Sequence, residues 1–236
     1  MPSPLPELPD GGRCAIRAVD LTKSYGTAGS PVVALQRVTL EIQRGERVAL
    51  LGKSGSGKST MLNLLGGLDH PTSGTLQVGG SDLPHLSSGQ LARFRSATVG
   101  MIFQSFNLIA SRTALQNVEL PMIFKGLTPQ RRRADARAAL EAVGLGHRLH
   151  HLPAQLSGGE NQRVAVARSL VNKPEIILAD EPTGNLDSST AREVIGLIMQ
   201  HVEQHGATFI LVTHDEELAA TCTNRVIRLK DGQIQA

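Results

Sequence analysis

Residues 47–65 read RVALLGKSGSGKSTMLNLL: a short apolar run, a glycine-rich turn, then a helix-forming stretch. An apolar run without polar alternation predicts a strand buried on both faces, as in parallel sheets covered by helices. The order strand, glycine loop, helix therefore points to an α/β architecture. GKSGSGKST, residues 52–60, fits G-x-x-x-x-G-K-[ST] with Gly52, Gly57, Lys58 and Ser59. Its glycines let backbone N–H groups turn inward around phosphate oxygens, and the helix start adds its dipole. Lys58 is expected to reach the β- and γ-phosphates, the Ser59 hydroxyl to ligate Mg²⁺ and Thr60 to touch the α-phosphate. Ser54, Gly55 and Ser56 complete the loop, whereas Lys53 is not required by the pattern and can face solvent.

EIILAD (175–180) and TFILVT (208–213) are two more short, apolar, β-branched runs. Between them, Val194, Leu197, Ile198 and Val202 recur at helical spacing within 188–205. CAIRAVDLTKSY, VTLEIQRGE, GTLQVGG and TVGMIFQ read as shorter strands with turn signals, which predicts a small antiparallel portion. From 105 to 156 the pattern is helical. Thr128-Pro129 supplies a cap and first-turn pair for RRRADARAALEAV, with a stop at Gly144.

Two acids close one buried strand, Asp180 and Glu181 in IILADEP. Carboxylates in that position need a cation or a reaction. Asp180 fits a Mg²⁺ ligand, and Glu181 fits the group that orients and polarises an attacking water. His214 ends the next strand in LVTHD, where it is expected to reach the γ-phosphate and Glu181. Gln104, closing MIFQ, is placed to touch Mg²⁺ and the water.

LSGGENQR (156–163) is a second anion-suited helix start. Ser157 can cap it, with Glu160 completing an S-x-x-E capping box, and Gly158 and Gly159 leave the backbone open. One chain thus carries two phosphate-gripping helix starts.

Composition sets the outer limits. The 236 residues, 40% hydrophobic and 19% charged, suffice for one large globular domain. A charge of +3 from 24 basic and 21 acidic residues is too balanced to imply nucleic-acid binding, and RRR at 131–133 reads as a solvated helix face. Cys14 and Cys222 match no metal spacing or redox pair and read as reduced, inert thiols. MPSPLPELPDGG (1–12) lacks a basic start and an apolar run, so the expectation is a flexible tail rather than a signal peptide. No stretch approaches the ~20 apolar residues of a membrane helix.

Taken in order, these residues resemble the ATP-binding-cassette ATPases over nearly the whole chain. Tyr25 matches the aromatic that stacks on adenine, Gln104 the Q-loop, LSGGENQR the signature motif, Asp187 in GNLD the D-loop and His214 the switch histidine. The resemblance implies an α/β fold: a P-loop NTPase (RecA-like) core with an antiparallel β subdomain and a helical insertion at 105–156, all within one domain, 13–236. It also implies Mg²⁺-dependent ATP hydrolysis in a head-to-tail dimer. Each ATP would lie between the phosphate loop of one copy and Ser157, Gly158 and Gly159 of the other. The signature differs from the frequent L-S-G-G-Q-Q-Q-R at Glu160 and Asn161, which leaves the affinity of that site open.

LLGGLDHPTSG, NLIASRTALQNVELPM, LADEPTGNLD and RVIRLKDGQI are similar to cassettes of lipoprotein-release, macrolide-export, peptide-antibiotic-export and cell-division systems. This implies a peripheral subunit on the cytoplasmic face of the cell membrane, paired with an integral membrane permease and not with nucleic acid. Cargo specificity would lie in the other subunits. A groove between the Q-loop and the insertion would receive a helix of the membrane subunit, with Phe106, Leu108, Leu115, Val118, Met122 and Phe124 as lining candidates. Soluble family members acting on DNA or ribosomes are the alternative. The former carry long coiled-coil insertions and the latter two cassettes, and this chain has neither. A degenerate, non-hydrolysing cassette is opposed by Glu181 and His214.

Overall fold

The computed structural model describes residues 13–26 and 31–235. The flexible tail expected at 1–12 lies outside the described residues. Two sheets organise the rest. The first takes the order β2-β1-β4-β5 and is antiparallel, from β1 (Cys14–Tyr25), β2 (Val32–Gln43), β4 (Ser73–Val78) and β5 (Ser81–Asp82). The second takes the order β10-β9-β3-β8-β7-β6. It joins β3 (Arg47–Leu51), β6 (Val99–Phe103), β7 (Ile176–Asp180), β8 (Thr208–Thr213) and β9 (Arg225–Lys230) in parallel, with β10 (Gln233–Gln235) antiparallel at its edge.

The uninterrupted apolar runs have the predicted cause. Val48, Leu50, Leu178, Ile210 and Val212 point into the core between the sheets, packed with Leu62, Leu64 and Leu65 of α1 (Lys58–Leu65). Their neighbours Ile177, Ala179, Phe209 and Leu211 point the other way. They meet Val166 of α5 (Gly158–Leu170) and Val194, Ile198 and Val202 of α6 (Ser188–His205). A strand flanked by two cores has no polar face to display.

Two strand expectations need correction. β1 and β2 are each 12 residues long, not short. VGMIF (β6) joins the parallel sheet beside β7, Phe103 opposite Asp180, rather than the antiparallel one. Its apolar pattern suits either sheet, and the partner is a non-local choice. The parallel pairing puts Gln104 and Glu181 at adjacent strand exits.

Between β6 and α5 stand α3 (Ala114–Phe124) and α4 (Pro129–Ala142). Thr128 caps α4 through the Arg131 N–H, Pro129 fills the first turn, and the chain reverses at Gly144 with φ 76°. Leu115, Val118 and Met122 of α3 meet Ala136 and Leu140 of α4 and Val164 and Ala167 of α5 in a third core. Those three α3 residues therefore do not line a groove. Leu108 packs against the same core, and Phe106 is half-buried in a strained loop. Of the six candidates only Phe124, 65% exposed, borders the groove between β6, α2 (Ser88–Ala97) and α3. Cys14 and Cys222 are both buried.

Candidate functional site: a phosphate-loop cleft

The phosphate loop turns between β3 and α1 through two left-handed glycines, Gly55 (φ 79°) and Gly57 (φ 102°). A Cβ on Gly57 would sit 2.5 Å from the Ala34 carbonyl oxygen, and one on Gly52 2.4 Å from that of Leu229. Both positions are closed to larger residues. α1 starts at Lys58 with no side-chain cap, so its first-turn N–H groups remain available to an anion. Lys58 Nζ donates to the carbonyls of Gly52 at 2.6 Å and Lys53 at 2.9 Å, a pair of neutral acceptors that an anion can replace.

This loop forms one wall of a cleft of about 410 Å³. Ser54, Gly55, Ser59 and Thr60 line it from the loop side, and Gln104, Asp180, Glu181 and His214 from the strand exits. Ser56 is buried, its hydroxyl without a partner among the described residues. Ser59 bonds the Asp180 carboxylate. Burial, opposed by that bond, raises the Asp180 pKa, and the charge of Glu181 raises it further. A divalent cation between Ser59 and Asp180 would offset that penalty, so the donor set fits Mg²⁺.

Glu181 sits on a strained backbone, φ 45°, fixed by its N–H to the Val212 carbonyl at 2.9 Å. Its Oε1 lies 2.7 Å from His214 Nδ1, and its Oε2 accepts from the Thr213 hydroxyl at 3.4 Å. The bond to Glu181, followed by that carboxylate's charge, raises the His214 pKa.

The signature residues lie elsewhere. Ser157 accepts from the Glu160 N–H at 3.2 Å, and Glu160 Oε2 accepts from the Ser157 N–H at 2.8 Å, the expected capping box. The Glu160 carboxylate faces back into the chain, where Arg148 Nε lies 3.1 Å from Oε1. The bond from the Ser157 N–H lowers its pKa, with help from Arg148. Asn161 Nδ2 donates to the carbonyls of Pro153 (3.0 Å) and Leu156 (3.2 Å). Both departures from the frequent motif thus serve the local fold.

Gly159 packs so closely on α6 that a Cβ would meet Thr190 Cγ2 at 2.5 Å. Asp187 caps that helix, accepting from the N–H and hydroxyl groups of Ser189 and Thr190, which lower its pKa. Signature and D-loop are therefore neighbours, while Ser157, Gly158, Gly159 and Asp187 are not part of the cleft wall. Tyr25 is also outside it. Its hydroxyl donates to Asp69 at 2.9 Å, and Lys23 Nζ lies 4.8 Å from its ring centroid.

Several contributors escaped sequence reasoning. Arg168 of α5 donates to the carbonyls of Asn107 (2.6 Å) and Phe106 (2.8 Å), two consecutive left-handed residues after Gln104. Burial brings its guanidinium down to about 10, still charged at neutral pH. Gln162, fully buried, donates to the Pro182 carbonyl just beyond Glu181. Gln162 and Asn185 stood inside quoted motifs. Arg148 and Arg168 had no signal, since a lone arginine does not announce the carbonyl it meets.

Residues 35–184 match the family model described as ABC transporter. The chain is 49% identical over 221 residues to a macrolide export ATP-binding/permease protein MacB of Rhodopirellula baltica, covering 93% of this chain and 32% of that protein. The chain thus spans about a third of the length of that relative. It is 47% identical over 215 residues to a lipoprotein-releasing system ATP-binding protein LolD of Shewanella frigidimarina, covering 91% of this chain and 90% of that one. Among solved structures it is similar to a dimeric ATP-binding cassette in a post-hydrolysis state bound to ADP and Pi. The TM-score is 0.87 and the identity 43%, with 94% of this chain and 97% of that one covered. Phosphate loop, paired carboxylates, signature helix and these likenesses agree: the chain belongs to the ABC transporter family and is one of its ATP-binding cassettes.

Proposed function

We propose that the chain is the ATP-hydrolysing subunit of a bacterial membrane transporter or force-transmitting complex, working as a head-to-tail dimer. Residues 13–236 act as one ATPase domain with 105–156 as its helical insertion. The observation that carries hydrolysis is the Glu181–His214 bond in the cleft that Lys58 also lines. Glu181 orients and polarises a water for in-line attack on the terminal phosphorus, the bond to the β–γ bridging oxygen breaking as the new P–O bond forms. Lys58 and the uncapped start of α1 hold the phosphates, and His214 steadies the carboxylate and meets the γ-phosphate. Ser59 and Asp180, with Gln104 nearby, would hold Mg²⁺, which when bound neutralises phosphate charge.

The dimer reading follows from the position of the signature. Its capped helix start, with Gly158 open, lies outside the cleft of its own chain, so a second copy supplies the phosphate it grips. Tyr25 stacks on adenine, and Asp187 approaches the partner's site in the same assembly. No helix of the described residues is long and apolar enough to cross a membrane. In this reading an integral permease spans the membrane, seating a helix in the groove edged by Phe103, Leu120 and Phe124, and the cassette sits on the cytoplasmic face.

Glu181→Gln tests the catalytic assignment. Steady-state hydrolysis is expected to fall by at least ~100-fold, while fluorescent-nucleotide titration gives an ATP affinity within about threefold of wild type. Hydrolysis retained in that variant removes Glu181 from its role.

A further inference from the structure

The dipeptide Gly184-Asn185 belongs to neither the phosphate loop nor the signature, yet both of its residues meet Gln104. Asn185 Nδ2 donates to the Gln104 main-chain carbonyl at 3.1 Å, and Asn185 Oδ1 accepts from Gln104 Nε2 at 3.4 Å. One bond thus holds the Gln104 main chain and the other its side-chain amide, and together they form a clasp. A Cβ on Gly184 would stand 2.8 Å from Gln104 Nε2 and 3.3 Å from its Cδ. The Gln104 amide thus occupies the space that any larger residue at 184 would take. The obstructed atoms are the far end of a flexible side chain, so an added methyl would move Gln104 rather than the backbone.

The turn that carries this clasp is tied to Glu181. The Gly184 N–H donates to the Glu181 carbonyl at 3.1 Å. Sheet pairing fixes Phe103 against Asp180 and ends there. Beyond that point Gln104 is exposed, and a free glutamine carries substantial rotamer entropy. The clasp restricts it relative to the carboxylate on the next strand.

We propose that Asn185 is a positioning residue which, with the bare Gly184, holds Gln104 in register with Glu181 at the adjacent strand exit. Gly184 supplies the room and Asn185 the bonds. The proposal rests on the reading of Gln104 as a group that reaches the attacking water or Mg²⁺.

The test is steady-state Mg-ATP hydrolysis by the full chain carrying Asn185→Ala, Gly184→Ala, Gln104→Ala or Asn185→Ala with Gln104→Ala. Gln104→Ala is expected to lower kcat roughly tenfold. Asn185→Ala and Gly184→Ala should each lower it about three- to tenfold, with KM for ATP within about twofold, because the phosphate loop is untouched. Asn185→Asp, which keeps only the acceptor, should fall between Asn185→Ala and wild type. In the Gln104→Ala background, Asn185→Ala should cost less than in wild type, since the bond from the Gln104 side chain is already gone and only the bond to the main-chain carbonyl of residue 104 is left to lose. Independent, multiplying losses overturn the proposal, as does a raised KM with unchanged kcat. If Gln104→Ala keeps wild-type kcat, the reading of Gln104 fails and the proposal falls with it, a result distinct from the other two. Should Asn185→Ala not fold, Gly184→Ala carries the same comparison.

Discussion

Glu181 and His214 concentrate the chemistry at the residue scale, and their coupling has a pH signature. The carboxylate bonds the imidazole at 2.7 Å and favours its protonated form, so the His214 pKa lies above the ordinary 6.5. A group raised by folding contributes stability that is fully present below about pH 6.5 and fades as pH rises through the higher folded-state value. His214 is almost wholly exposed, so the effect belongs in a titration curve rather than in a melting temperature. Proton NMR should show the His214 C2 resonance titrating at lower pH in Glu181→Gln than in wild type. An unmoved midpoint would mean that the bond does not persist in solution. Sequence reasoning reached both residues because strand exits in this architecture display their polar groups together. It had no access to the left-handed backbone at Glu181, a shape enforced by the neighbouring Val212 carbonyl and by no residue type.

At the scale of elements, α5 joins the regions that matter. Its first turn is the signature, Gln162 reaches past Glu181, and Arg168 pins the loop after Gln104 where Phe106 and Asn107 are left-handed. Arg168→Met removes both donors from that loop and is expected to lower the unfolding free energy by about 2 kcal/mol. The measurement is a shifted urea midpoint at unchanged slope, with faster amide exchange confined to residues 104–109. Uniformly faster exchange would contradict a local clamp.

Elements with strong local grammar were legible in advance. α4 begins at Thr128-Pro129 and α6 carries Val194, Ile198 and Val202 inward, because caps and period are written in adjacent residues. The sheet assignment of β6 and the groove were not legible. VGMIF offers the same apolar pattern to either sheet. α3 packs against both α4 and α5, so its apolar positions describe a core as readily as a docking face.

Two helix starts made for anions distinguish the molecule as a whole, and they differ in kind. α1 is uncapped and faces its own cleft beside Lys58, whereas α5 is capped by Ser157, braced by Arg148 and set apart from that cleft. That separation underlies the proposal that the chain is complete only beside a second copy, each signature closing the other's nucleotide. The resemblance already implied two halves of a shared site, and the signature residues' absence from the cleft wall supports that reading.

Sedimentation velocity of the Glu181→Gln protein at saturating Mg-ATP tests this directly. The expected species are a monomer without nucleotide, a dimer with ATP, and a monomer again when Ser157→Arg is added, with ATP affinity in the added variant unchanged within about threefold. A dimer that forms equally well with Ser157→Arg, or a Glu181→Gln protein that stays monomeric with ATP bound, would contradict the shared site.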